Sequence, residues 1–303
     1  MHRILIVDDE PSIKELLKEF LSGEGYTTET ASDGIDALDI LKSDANFDLI
    51  ISDINMPRMK GFELLKQVEI LYPRIKRVLL TAYSVEDYIH LALEHGISNI
   101  ITKTTPFNFD ELLTIVSKLL SGNILGLDVH LDSGTEISRF QIKDPRLIPE
   151  YASAPIKALK MPRLNRNFEM VMVELLNNAV YYGVKDMDPE RKETWTDDFL
   201  LDDGQVEVFY GSDSQKAAIA VRDNGGKLSK DKIMYWLSRQ MLRDETGLPV
   251  GLYDIHGRGL FISREYVDRL VVNLIKGKST EIICLIYHED IYKGHKPLLI
   301  NEI

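Results

Sequence analysis

Ile4-Leu5-Ile6-Val7-Asp8-Asp9-Glu10-Pro11 opens on four consecutive apolar residues that end abruptly in acids. A short apolar run without polar alternation is the signature of a strand covered on both faces. Helical spacing follows at Ile13, Leu16, Leu17, Phe20 and Leu21, and Gly23 and Gly25 close that helix. The unit then recurs. Residues 26–30 read as a second strand, Ile35, Leu38 and Leu41 mark a second helix, and residues 48–52, 78–81 and 99–102 read as three further strands. This alternation predicts a doubly wound, five-stranded parallel α/β sheet over residues 1–120. In such sheets function gathers beyond the carboxyl ends of the strands.

After residue 120 the rhythm stops. Gly122, Gly126, Gly134, Pro145 and Pro149 punctuate residues 121–150, which read as a linker with one strand near 137–142. A helical pattern then covers 168–182, strands cover 206–210, 217–222, 270–275 and 281–287, and the order predicts an α+β layer over residues 151–290. Residues 291–303 read as a C-terminal tail. Between helix and strands, residues 185–204 are polar and acid-rich, which reads as a solvated insertion.

Composition narrows the class. At 303 residues the chain has room for about two domains. With 44% hydrophobic and 28% charged residues it is globular rather than disordered. A formal charge of −12 argues against nucleic acid or an anionic membrane as main partner, since both require a basic face. Cys284 is the single cysteine, which excludes an internal disulfide and a cysteine-based zinc site. No apolar run approaches the roughly 18 residues of a membrane span, so a cytoplasmic location is expected.

Four strand ends converge in the first domain. They deliver Asp8 and Asp9, Asp53, Thr81, and Lys103. Carboxylates gathered at one sheet edge repel, and a divalent cation relieves that cost; oxygen-only donors favour Mg²⁺. A carboxylate beside such a cation can attack a phosphoryl group, while Lys103 and the Thr81 hydroxyl bind phosphoryl oxygens. With Asp53-Ile54-Asn55-Met56-Pro57, Gly61, Thr81-Ala82 and Lys103, the first 120 residues resemble a response-regulator receiver domain, of flavodoxin-like fold. The resemblance implies Asp53 as phosphoacceptor, served by an upstream histidine kinase or phosphotransfer protein. It implies Asp9 and Asp53 as direct Mg²⁺ ligands, Asp8 acting through water, and the Asn55 carbonyl completing the set. Two positions depart from that family: Ile100 stands where receivers usually carry an aromatic residue, and Lys103-Thr104-Thr105-Pro106 replaces the usual Lys-Pro.

A second constellation lies in the α+β part. Glu174 and Asn178 are four apart, on one side of a helix. The apolar strand 217–222 runs into Asp223-Asn224-Gly225-Gly226, where a carboxylate can accept from an exocyclic amine and glycines admit a flat ring. Later, His256-Gly257-Arg258-Gly259-Leu260-Phe261 opens an apolar helix, and glycines before a helix offer amides to phosphate. Together these boxes resemble the histidine-kinase-like (GHKL) ATPases, nearest to the anti-sigma-factor serine kinases. The resemblance implies ATP as ligand, Asn178 on its Mg²⁺, Asp223 on the adenine amine, Gly225, Gly257 and Gly259 shaping pocket and lid, and Glu174 as general base. Residues 227–255 would form the lid. Lys227 departs from the usual second glycine and Phe261 from a third. His256 beside the phosphates reads as a local hydrogen-bonding residue.

No histidine falls between 131 and 255, and His130 lacks the helical context of a phosphoacceptor, so autophosphorylation on histidine is not expected. The chain as a whole is expected to be a two-component response regulator, phosphorylated on Asp53, whose output is a serine/threonine kinase acting on a regulatory protein. By the resemblance that protein is a small anti-anti-sigma partner. Two alternatives stay open: an ATP-holding module that sequesters a partner without turnover, and an atypical kinase of a partner's histidine. A homodimer through either domain is also open.

Overall fold

The computed structural model describes residues 1–104, 106–164, 166–187, 197–254, 257–289 and 296–303. His256 and the middle of the acidic insertion lie outside the described residues, as does Thr105. The chain divides into two units: Met1–Ile124 with the stretch ending at Leu299, and the residues from Leu125 onward with Ile300–Ile303.

The first unit alternates β1 (Arg3–Val7), α1 (Pro11–Gly23), β2 (Thr27–Ala31), α2 (Gly34–Ser43), β3 (Leu49–Asp53), α3 (Gly61–Leu71), β4 (Lys76–Thr81), α4 (Ile89–Glu94), β5 (Asn99–Thr102) and α5 (Phe109–Ser121). Ile4, Leu5 and Ile6 of β1 and Leu49, Ile50 and Ile51 of β3 are wholly buried, which is why these strands read as unbroken apolar runs. The strands lie in the order β2-β1-β3-β4-β5, all parallel. Their order reverses between β1 and β3, and a crevice opens at such a switch point beyond the strand ends. Asp8 follows β1, Asp53 ends β3, Thr81 ends β4 and Lys103 follows β5. Gly61 starts α3 against β3, where an added Cβ would stand 2.0 Å from the Asp53 carbonyl oxygen. No side chain larger than hydrogen fits there.

In the second unit β6 (Ser138–Gln141), α6 (Ile148–Leu159) and α7 (Arg166–Asn177) come first, and a π-helical turn, Asn178–Val184, continues α7. Then follow β7 (Val206–Ser212), β8 (Lys216–Asp223), α8 (Lys230–Met241), α9 (Gly259–Tyr266), β9 (Arg269–Ile275) and β10 (Ser279–Tyr287). The sheet runs β9-β10-β8-β7-β6, antiparallel throughout. Helix α7 packs against α6 and α9, and the π turn packs on β8. Among the described residues no helix is long and apolar enough to cross a membrane.

Three expectations are corrected. In residues 121–150 the expected strand near 137–142 is present as β6 on the second sheet, but the stretch is more than a linker: α6 begins at Ile148, and the Gly126 amide donates to the buried Glu281 carboxylate of β10 at 3.0 Å. That carboxylate also takes Arg222 at 2.6 Å and Asn273 at 3.1 Å, so the glycine-marked stretch is tied to a buried polar cluster. Residues 291–303 are not only a tail. They contain β11 (Leu298–Glu302), in which Leu298 pairs antiparallel with Ile100 in the first unit. Its five residues carry no period long enough to read. Third, the described part of the insertion is not simply solvated. Leu201 is buried with its amide on the Lys143 carbonyl at 2.8 Å, and Asp197 accepts from the Tyr181 hydroxyl.

Candidate functional site

At the switch point of the first unit, Lys103 is the organising cation. Its Nζ lies 2.8 Å from Asp8 Oδ2 and 2.5 Å from Asp53 Oδ1, with Glu10 at 3.7 Å. Asp8 is wholly buried and Asp53 only 8% exposed. Burial pushes the Asp53 carboxyl above its ordinary range, and neighbouring Asp8 adds to this; the Lys103 hydrogen bond and charge oppose it without prevailing. For Lys103 burial works downward, yet its hydrogen bonds to Asp53 and Asp8 outweigh it and raise the ammonium. The second Asp53 oxygen accepts from the Asn55 amide at 2.7 Å. Thr81, buried at the end of β4, accepts from the Tyr83 amide at 2.9 Å. Ile100 is buried on β5, and the Thr104 hydroxyl bonds to the Pro106 carbonyl at 2.8 Å in the connection after Lys103.

Asp9 does not join this group. It is exposed, and among the described residues no three His, Cys, Asp or Glu side chains converge as a ready metal cluster. Asp8 and Asp53 share one ammonium, which relieves their repulsion at short range. The donors at hand, three carboxylates and the Asn55 carbonyl without His or Cys, still have the chemistry of a site for a hard divalent cation.

The second unit holds a cavity of about 390 Å³. Glu174, Asn178, Asp223, Gly257 and Gly259 all line it, on α7, the π turn, the end of β8 and the start of α9. Gly225 is not in the lining. It sits directly behind, donating its amide to Asp223 Oδ1 at 2.9 Å. Gly225 packs so closely on the π turn that an added Cβ would stand 1.6 Å from the Gly183 carbonyl oxygen. At Gly259 a Cβ would meet Glu174 Oε1 at 2.1 Å, so this glycine lets the helix start reach the carboxylate.

Asp223 is buried beside apolar Val221 and Ile282, and burial raises its carboxyl to about 6 against the pull of the Gly225 and Gly226 amides. Both amides bond to Oδ1, and the Thr280 hydroxyl acts on the same carboxylate from the facing strand. At the cavity mouth Lys227 pairs with Asp186 at 2.9 Å, so the residue in place of a glycine is held as a rim ion pair. Lys232 and Arg258 add positive charge to the lining. A volume of this size, apolar at its floor with a few converging polar groups, suits a small organic ligand.

Several lining residues were not singled out in the sequence. Thr280 reaches the site because the antiparallel register sets it opposite Asp223, a long-range pairing with no local pattern. Trp236 and Tyr182 also line the cavity, and the Trp236 ring packs so near Gly257 that a Cβ there would stand 2.2 Å away. Asn178 marks the change from α to π winding. The expected helix over 168–182 therefore keeps its path but loses its α hydrogen bonding past Asn177, a feature frequent at functional sites.

Comparison with known proteins bears on the first unit. Residues 4–117 match the family model of the response regulator receiver domain. Over 118 residues, 39% of this chain, the sequence is 38% identical to the sporulation initiation phosphotransferase F of Bacillus subtilis, covering 93% of that protein. It is 35% identical over 118 residues to the DNA-binding transcriptional regulator NtrC of Escherichia coli, spanning 24% of the length of that relative. Among solved structures, response regulator protein TrrA of Thermotoga maritima, in complex with Mg²⁺ and beryllofluoride, is 44% identical over 40% of this chain and 100% of that one, with a TM-score of 0.36. TrrA in complex with the histidine kinase ThkA is 43% identical over 40% of this chain and 99% of that one, also at 0.36.

Proposed function

Because residues 4–117 make this chain a member of the response-regulator receiver family, we propose that it is a two-component regulator phosphorylated on Asp53, with an ATP-binding second unit as its output. Asp53 would take its phosphoryl group from a histidine kinase or phosphotransfer protein. The carboxylate oxygen attacks phosphorus, the phosphorus–nitrogen bond of the donor phosphohistidine breaks, and the imidazole leaves and takes up a proton. Lys103 already sits on Asp53 and Asp8, so it follows the charge as it passes to the phosphoryl oxygens. Thr81, at the end of the strand beside β3, would exchange its bond to Tyr83 for one to a phosphoryl oxygen. Asp9 and Asp53, with the Asn55 carbonyl, would hold Mg²⁺, which screens the charges that meet there.

The ATP reading is carried by one observation: five residues named from separate stretches of sequence line a single cavity with an apolar floor. In it Asp223 Oδ2 accepts the exocyclic amine of adenine, Thr280 stands beside it, and Asn178 serves the metal of the phosphates. Glu174 is set to take the proton of an attacking hydroxyl, and a serine or threonine of a regulatory protein is the substrate this chemistry suits. The test is calorimetric titration of the full chain with Mg²⁺ and ATP, followed by phosphate release and transfer with and without Glu174→Gln. Binding that vanishes in Asn178→Ala, with transfer lost in Glu174→Gln, supports a kinase. Tight binding with no transfer in either protein leaves a sequestering module, and no binding removes the ATP reading.

A further inference from the structure

The connection between β3 and α3 carries the Asn55 carbonyl, and it is fastened at both ends. At the β3 end the Asn55 backbone amide donates to Asp53 Oδ2 at 2.7 Å, and the Gly61 amide closes the loop on the Ile54 carbonyl at 2.9 Å. Further along stands Arg58, whose φ of +57° lies in the left-handed region that side chains disfavour. Such a conformation persists only where the surroundings over-determine it. Here the guanidinium does so. Its Nε donates to Asp33 Oδ2 at 2.5 Å and its Nη2 to Asp36 Oδ1 at 2.6 Å, both acids standing at the start of α2. Asp33 is only 2% exposed, and its other oxygen accepts from the Ile35 and Asp36 amides at 2.8 and 3.1 Å. One carboxylate thus joins the helix start to the loop. Beside Arg58, the Met59 carbonyl accepts from the Gly34 amide at 3.4 Å, and a Cβ on Gly34 would stand 2.6 Å from Met59 Cγ.

We propose that Arg58 is a positioning residue that fixes the Asn55 carbonyl and so makes the Asp53 site select Mg²⁺ over Ca²⁺. The inference rests on the reading of Asp9, Asp53 and the Asn55 carbonyl as a divalent-cation site, and adds what tunes it. A carboxylate can follow a cation by rotating its side chain, whereas a backbone carbonyl moves only with its loop. The Asn55 carbonyl is therefore the donor whose place depends on the clamp. Mg²⁺ binds oxygens at about 2.0–2.1 Å and demands near-octahedral geometry, so a donor that wanders loses it. Ca²⁺ takes about six to eight oxygens at about 2.3–2.6 Å in flexible geometry and tolerates the same wandering. Among the described residues Arg58 pairs with Asp33 and Asp36, not with Asp9 or Asp53, so it acts through the loop rather than on the cation. Its planar fork holds two carboxylates in fixed directions at once, which a single ammonium would not.

The test is ¹⁵N NMR of the full chain, following the Asn55 backbone amide through titrations with Mg²⁺ and, separately, Ca²⁺. Arg58→Gly removes the guanidinium and puts at that turn the residue most at ease with positive φ, so the backbone keeps its path without the clamp. Asp33→Asn removes the charge at the other end and keeps a strong N-cap for α2. In Arg58→Gly the Mg²⁺ dissociation constant should rise about tenfold or more, the usual cost of losing a group that orients a metal ligand, and that of Ca²⁺ less than about threefold. Asp33→Asn should weaken Mg²⁺ in the same direction, and the double variant should lose no more than Arg58→Gly alone, as expected of two residues in one contact. Unchanged Mg²⁺ affinity in Arg58→Gly, or equal losses for the two cations, overturns the proposal and leaves the cation site standing. So does a double variant whose losses add. If neither cation moves the Asn55 amide in the unaltered chain, the cation site and the proposal fall together.

Discussion

Asp53 and Asp223 are both buried carboxylates at strand ends, each with its carboxyl raised by desolvation, and the two units treat them differently. Beside Asp53 stands an ammonium at 2.5 Å and a second acid on the same cation. Beside Asp223 stand two backbone amides and an open cavity, with no cation bonded to it among the described residues. A carboxylate crowded by charges of both signs is arranged to exchange charge, as in accepting a phosphoryl group. One raised to about 6 in an apolar wall is arranged to accept a hydrogen bond from a neutral donor. Under the proposed function the contrast separates chemistry from recognition within one chain.

The sharpest way to break that contrast is Asp53→Asn. Labelling by acetyl phosphate should fall to background while ATP titration of the same protein is unchanged; a parallel loss of ATP binding would show that the units are not separable. Next comes Lys103→Met, which leaves Asp8 and Asp53 without their cation. Removing one partner of a buried pair costs about 3–5 kcal/mol, to be read as a lowered urea midpoint at pH 7. Part of that loss should return on acidification, as the two carboxyls protonate.

Asp223→Asn should act in the opposite sense on stability. Because folding raises this carboxyl from an ordinary 3.8 to about 6, the native state binds the proton more tightly, and stability falls as pH rises between those values. The ionised group costs about 3 kcal/mol at neutral pH, an upper bound since water enters the cavity. The asparagine variant should therefore melt higher at pH 7 while its ATP affinity drops about 10–100-fold, the worth of a charged hydrogen bond. In the unmodified chain ATP affinity should weaken about tenfold per pH unit below about 6, as Asp223 protonates. A flat profile from pH 7 to 5 would deny the carboxylate its role. The smallest effect belongs to Lys227→Gly. An exposed ion pair contributes about 0–1 kcal/mol, so loss of the Asp186 contact should alter ATP affinity less than about fivefold, mostly in release rate and only at low salt.

Much of the first unit was legible because its signals are local. An apolar run ending in acid marks both a buried strand and the position of its last residue, so Asp8, Asp53, Thr81 and Lys103 could be placed at strand ends before any contact was known. The exposed position of Asp9 and the bridge from Lys103 were not legible, since side-chain direction at a strand end depends on neighbours from other strands. In the second unit Glu174, Asn178 and Asp223 stood out by spacing and by their glycine turns. Thr280, Trp236 and the π turn did not, because each acquires its place through packing between elements far apart in sequence. The strand at Leu298–Glu302 was missed for the same reason: an isolated run of five residues carries no period.

Sequence alone therefore determined the alternation of strands and helices, the acids and lysine of the first site, and the residue types of the second. Periodicity and strand-end chemistry need only a window of a dozen residues. Tertiary structure decided which of those groups touch. Parallel register brought Lys103 between Asp8 and Asp53, antiparallel register set Thr280 against Asp223, and the missing Cβ atoms of Gly61, Gly225 and Gly259 let backbone and carboxylate approach where any larger residue would collide.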